Sequence, residues 1–268
     1  MKIVKKVMLA VAMSATILLG AEEVLAAWNN AAWVLPHWRK FTQMDEFLEI
    51  SGHVRISSKR SFEVDPDAEY EISGQFRTPG SQKDLTRVEF GFIPLDEDGV
   101  EIPAYAVLNA NAPLCSLAAD AKAGDTVLRI KGVDKLRPGM NYLAFNAKAD
   151  YSDLPNKEVF QAAKISPDGA EYKATLKAPL KKDYASGTVI RLHCRGELWS
   201  GTSGKKAGRE WTTFSGKVKG INLTGKQYNN RKWYPGTGRA KLFILIGSKQ
   251  TIQFKDVTVK NLSADTEE

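Results

Sequence analysis

Apolar and polar residues alternate along most of the chain with a period of two. In "AEYEISGQFRT", Tyr70, Ile72 and Phe76 share one face, and Glu71, Ser73, Gln75 and Arg77 share the other. "TRVEFGFIPLDEDGVEI" repeats the pattern with Val88, Phe90 and Phe92 and then turns at "DEDG". "RAKLFILIGS" sets Leu242, Ile244 and Ile246 on one side, and "TIQFKDVTVKNL" and "REWTTFSGKV" read as further strands. Such alternation is that of half-buried β-strands. No segment beyond the N-terminal stretch keeps a helical apolar period for three turns, and "LPHWRKFTQMDEFLEI" reads as loop and strand. Strands at this spacing, separated by turn residues, predict an all-β sandwich or barrel.

Between Asn111 and Arg195 the texture changes to shorter strands and Pro-Gly or "PDG" turns. This stretch has an apolar set of its own: Val127, Ile130, Met140, Leu143, Phe145, Ile165, Leu176, Leu180 and Val189. The expected organisation is a discontinuous sandwich over 27–111 and 195–262, a small barrel-like β module inserted at 112–194, and a frayed tail at 263–268. The chain's two cysteines, Cys115 and Cys194, sit near the ends of that insert. If the ends lie together, a disulfide across the neck staples insert to host, worth roughly 4–5 kcal/mol by loop entropy. Two unpaired buried thiols are the alternative. A metal site is disfavoured, because His193 is the one further ligand nearby.

Compartment bears on that pairing. "MKIVKK", the apolar "VMLAVAMSATILLG" and the small residues Val24 and Ala26 form an export signal, with cleavage expected after Ala26. An uncleaved anchor is the competing reading. No later stretch is long and apolar enough for a membrane helix. The mature chain is expected to be secreted, periplasmic or at the cell surface, where disulfides persist. The net charge is +7. Its basic residues are scattered among acids, without the basic stripe and interleaved aromatics of a nucleic-acid groove. That charge reads as a solvated surface, with weak attraction to acidic polysaccharide as the functional alternative.

With those strands in place, a family resemblance can be stated. "FEVDPDAEYEISGQFRT", "EFGFIPLDEDGVEI", "REWTTFSGKV", "WYPGTGRAKLFILI" and "IQFKDVTVKNL" together resemble the bacterial carbohydrate-binding jelly-roll modules of the cellulose- and xylan-binding type. The match is one of order and texture, over about 28–111 and 195–262. Galactose-binding-like domains and sandwiches without a sugar site share it. The insert's "AGDTVLRIKG" and "YASGTVIRLH" look like a small β module of secreted sugar-active and surface proteins. The resemblance implies two antiparallel sheets face to face, with ligand on one sheet or at the sandwich edge. It also implies a possible structural calcium, with Asp256 of the last strand among its ligands. A bulge at Asp256 would explain the broken alternation of "IQFKDVTV" equally well.

Sugar binding uses aromatic faces and a few planar polar groups. The aromatic candidates are Trp33, Trp38, Trp199, Tyr228, Trp233 and Tyr234, all in turn-rich or polar surroundings. Trp211 is assigned to the core. Gln75, Arg77 and Glu89 lie on polar strand sides and supply hydrogen bonds. An enzyme is the competing class: a glycoside hydrolase or lyase needs a carboxylate pair, which leaves no short motif. Gly-x-Ser-x-Gly, His-Glu-x-x-His and P-loop motifs are absent. The favoured function is a non-catalytic protein that binds a polysaccharide or surface glycan. A structural or adhesive surface protein without a sugar site, meeting a secreted or surface partner, is the third class.

Overall fold

The structure is a computed structural model that describes residues 23–24, 32–36, 42–44, 46–79, 85–133, 136, 139–196, 198–199, 205–226, 230–247 and 249–263. The segment expected to be an export signal, apart from 23–24, and the expected frayed tail beyond 263 lie outside the described residues. The elements begin with β1 (Glu23–Val24), β2 (Trp33–Val34), β3 (Thr42–Gln43), β4 (Leu48–Ser51), β5 (Val54–Ser58), β6 (Phe62–Glu63), β7 (Tyr70–Arg77) and β8 (Thr86–Leu95). A single turn of helix, α1 (Ala104–Val107), precedes β9 (Cys115–Leu117), β10 (Val127–Lys131), β11 (Tyr142–Phe145), β12 (Val159–Asp168), β13 (Glu171–Leu176) and β14 (Val189–His193). The chain ends with β15 (Leu198–Trp199), β16 (Lys206–Ala207), β17 (Thr212–Val218), β18 (Arg239–Ile246) and β19 (Thr251–Asn261). Among the described residues no helix is long and apolar enough to cross a membrane.

The fold is an all-β jelly-roll sandwich carrying a small closed barrel. One sheet runs β17-β7-β19-β4-β3, with β1 also on β19. The other runs β15-β8-β18-β5-β2, with β16 on β8 and β6 on β18. The alternation in the sequence decides which side of each strand faces in. Tyr70, Ile72 and Phe76 of β7, Val88, Phe90 and Phe92 of β8, and Leu242, Ile244 and Ile246 of β18 are all buried between the sheets. Gly74 takes an inward position of β7, where a Cβ would come within 3.1 Å of Phe76 and 3.3 Å of Phe90. The missing side chain makes room for those two rings, whose centroids are 5.1 Å apart. In β19 the register against β7 shifts between Lys255 and Thr258, and Asp256 stands exposed in that bulge at φ 50°. Among the described residues no group of three or more His, Cys, Asp or Glu gathers that could hold a metal ion.

The strands from Cys115 to His193 close into a barrel in the order β10-β13-β12-β11-β14-β9, around a core of its own that includes Leu128, Ile130, Leu143, Phe145, Ile190 and Leu192. Val127 and Val189, expected in that core, are exposed instead, because in each strand the following residue (Leu128 and Ile190) points inward. An antiparallel bridge between Asn109 and His193 joins the barrel to the sandwich. Cys194 N–H donates to Leu108 O at 2.9 Å, and Ala110 N–H to Leu192 O at 3.0 Å.

The expected disulfide is absent: both cysteines are buried free thiols. Cys115 pairs across β9–β14 with Ile190, four residues short of Cys194. At roughly 3.3 Å per strand residue, the two Cα atoms are about 13 Å or more apart, far beyond disulfide reach. The side chains also belong to different cores, Cys115 to the barrel's and Cys194 to the sandwich's. Main-chain hydrogen bonds at 108–110 and 192–194 close the neck in place of a covalent link.

Candidate functional site

Because the even-numbered residues of β7 fill the core, Glu71, Ser73, Gln75 and Arg77 are left on the outer face of the six-stranded sheet, all half-buried. Neighbouring strands add to the same face in register. Arg77 stands opposite Gln253, and Gln253 opposite Glu49; Gln75 stands opposite Lys255 on one side and Thr213 on the other. A polar row then crosses three strands. Arg77 Nε donates to Gln253 Oε1 at 2.7 Å, and Gln253 Nε2 donates to Glu49 Oε2 at 2.7 Å.

An aromatic cluster overlies this row. The Arg77 guanidinium carbon lies 4.4 Å from the ring centre of Trp211 and 5.2 Å from that of Phe47. Lys255 Nζ is 4.9 Å from the Trp211 ring, and the rings of Trp211 and Phe47 meet edge to face at 5.8 Å. Cations over ring faces draw on the quadrupole of the π-system. Among the described residues the two terminal guanidinium nitrogens of Arg77 and the side-chain amide of Gln75 make no hydrogen bond. The face therefore offers aromatic surface beside planar donors, the combination that suits a sugar's CH-rich face and hydroxyl groups.

Trp211 was expected in the core, and the structure corrects this. It lies half-buried on the outer face, because it is three residues before the inward Phe214 and so on the opposite side of the strand. Phe47 precedes the inward Leu48 in the same way. The parity of "REWTTF" and "EFLEI" was the available signal for both residues.

Three aromatic candidates belong to the core. Trp33, Trp233 and Tyr234 are 2%, 0% and 2% exposed. Trp33 packs edge-on against Phe254 at 5.6 Å, and Trp233 sits between Tyr70 at 5.8 Å and Phe92 at 5.0 Å. None of them can form a platform. Trp33 points inward from the edge strand β2, and Trp233 from a segment bridged to Ile221. Trp38 and Tyr228 lie outside the described residues. Trp199 joins the other sheet, its backbone paired with Gly91. Glu89 also lies on that other sheet, on β8, in an ion pair with Arg87 at 2.8 Å, so it does not share the face of Gln75 and Arg77.

No family model and no curated protein matches the chain. Among solved structures it is similar to the CBM22-1 xylan-binding domain from Paenibacillus barcinonensis Xyn10C, with TM-score 0.38 and 9% identity, covering 91% of this chain and 97% of that one. It is also similar to the CBM22-1–GH10 modules of Clostridium thermocellum endo-1,4-beta-D-xylanase 10B, complexed with xylohexaose. There the TM-score is 0.35 and the identity 13%, covering 90% of this chain and 28% of that one.

Proposed function

We propose that this is an exported, non-catalytic carbohydrate-binding protein that holds polysaccharide on the outer face of its six-stranded sheet. The observation that carries the reading is the Trp211–Arg77–Phe47 cluster set against the Arg77–Gln253–Glu49 row. It combines half-exposed rings, free guanidinium donors and an adjacent unengaged amide at Gln75 on one regular surface. A rigid sheet suits such a site, since side chains held by strand pairing stay where a ligand needs them.

Calorimetric titration of the mature chain with the neutral polysaccharides xylan and β-glucan tests it. Binding to at least one is expected, with a loss of tenfold or more in Trp211→Ala and in Arg77→Ala while the thermal transition holds. The absence of heat from every polysaccharide, or full binding by both variants, would refute the site and favour the structural or adhesive reading. Release of reducing ends from a bound polysaccharide would instead make the chain an enzyme.

A further inference from the structure

A concavity opens at the junction of barrel and sandwich, beside the neck residue Asn109. It encloses about 590 Å³, within the roughly 300–1,000 Å³ of small-ligand sites. Its lining comes from both modules: Asn109 and Lys226 from sandwich segments, and Lys148, Tyr151 and Arg191 from the barrel. The charged residues of the lining are all basic, although Asp150 outside it lies close enough to attract Lys148. Lys148 and Lys226 are exposed, and among the described residues neither ammonium is in an ion pair. No residue of the lining is acidic. Arg191 is committed elsewhere, held in the floor by Asp153, and Asp150 lies outside the lining. The opposite wall is apolar, made by Ala112, Pro113 and Leu114, and Leu114 is 38% exposed.

Backbone geometry marks the same place. Of the four non-glycine residues at positive φ among the described ones, two line this cavity: Asn111 at 52° and Tyr151 at 64°. For a residue as bulky as tyrosine that conformation is an outlier, and such strain is concentrated at binding and switch sites. It turns the Tyr151 ring beneath the Arg191 guanidinium, 4.7 Å from its carbon. The side-chain amide of Asn111 is exposed and makes no hydrogen bond among the described residues.

We propose that this junction cavity binds an anionic sugar residue, a uronate within a polysaccharide. Lys148 and Lys226 would meet the carboxylate, the Ala112–Leu114 wall the ring's CH face, and Asn111 its hydroxyls. The site is separate from the sheet face and stands whether or not that face binds.

Calorimetry on the mature chain with trimers of galacturonate, glucuronate and mannuronate, each beside its methyl ester, tests the proposal. At least one trimer should bind, and its ester should bind at least tenfold more weakly. Lys148→Ala/Lys226→Ala should lose tenfold or more with no change in melting temperature, since both side chains are exposed. Leu114→Glu, which adds a carboxylate to the apolar wall, should lose as much, and Trp211→Ala should bind as the parent does. The proposal is overturned if no trimer binds, if acid and ester bind alike, or if the lysine variant binds like the parent. Displacement of the trimer by sodium sulfate at equal charge would reduce the site to a simple anion hole and also overturn it. Loss in Trp211→Ala would move the uronate to the sheet face. Failure of neutral polysaccharides to bind, with the uronate result intact, would touch only the sheet-face reading.

Discussion

Asp153→Ala should unfold the barrel at markedly lower denaturant. The Arg191 side chain is 2% exposed and that of Asp153 is 7%. The pair is bidentate, with N–H···O distances of 3.1 and 2.9 Å. Arg191 also donates to the Lys148 carbonyl. Asp153 further accepts from the Asn156 amide at 2.9 Å and from the Lys148 backbone N–H at 3.0 Å. One carboxylate thus pins the 148–156 loop to β14. Removing it leaves a buried guanidinium with the Lys148 carbonyl and the face of the Tyr151 ring but no counter-charge, a change that costs about 3–5 kcal/mol. Arg191→Met alone should cost a similar amount, and the double variant clearly less than the sum, because no charge is then left unpaired. All six tryptophans lie outside Cys115–His193. Urea titrations followed by tryptophan fluorescence therefore report the sandwich, and far-UV circular dichroism adds the barrel. Burial pushes the Asp153 carboxyl up, but hydrogen bonds from Arg191, Asn156 and the Lys148 N–H outweigh it and hold the group below its ordinary value of 3.8. The folded state therefore gives up this proton more readily than the unfolded one. The stabilisation is complete above that value and is lost as pH falls below it. A cost under about 1 kcal/mol for Asp153→Ala, or strict additivity in the cycle, would refute the assignment of this pair as the anchor of the loop.

His193 is fully buried, with Nδ1 2.7 Å from the Tyr105 carbonyl, and its pKa is pushed down to about 4, chiefly by burial and further by the Arg191 charge. The unfolded chain takes up a proton near pH 6.5 that the native one refuses, so stability should fall by about 3 kcal/mol between pH 6.5 and 4. Urea midpoints at several pH values should show this slope in the parent and not in His193→Gln. Burial pushes Cys115 up to about 12 and Cys194 up to about 11; a thiol reagent at pH 8 should label neither in the native protein and both in guanidinium, whereas native labelling would contradict their burial, and labelling in guanidinium only after a reductant is added would contradict the thiol assignment. Gly225 has φ 60°, and a Cβ there would overlap the Val107 carbonyl and reach within 2.9 Å of Leu154. Gly225→Ala should cost more than about 2 kcal/mol in thermal unfolding.

The long strands were legible because each buries one face against the same core: the alternation of β7, β8 and β18 reads directly as inside and outside. The same arithmetic placed Gln75 and Arg77 on an open sheet face. Carried through to Trp211 and Phe47 it would have placed them there too. Tryptophan's usual burial overrode it, although three residues from Phe214 means the opposite side of a strand. The converse error befell Trp33, Trp233 and Tyr234, whose polar, turn-rich neighbours suggested exposure. An aromatic ring buries 150–250 Å², and an edge strand or a short connecting segment can deliver one inward whatever its neighbours are. The cysteine pairing rested on chain topology, which predicts that the two ends of the insert meet but not which residues meet. Leu108–Ala110 and Leu192–Cys194 form that meeting point, and Cys115 is already inside the barrel. The junction cavity had no signature in the sequence, because its walls come from segments that only the fold brings together.

The neck also bears on the order of folding. Strands β8 and β18 share eight paired residues, Val88–Leu95 with Arg239–Ile246, yet about 140 residues separate them, and closing a loop costs (3/2)RT ln n. A barrel that folds first draws its two ends together and takes about 80 residues out of that loop. The remaining path is a little under half as long, which lowers the closure cost by roughly 0.7 kcal/mol. The barrel's hairpins, such as β12–β13 with its turn at Asp168–Glu171, connect near neighbours and form faster than long-range sheet pairs. In N- to C-terminal synthesis the first sandwich strands emerge before partners such as β18 and β19, and the barrel is the first unit able to complete itself.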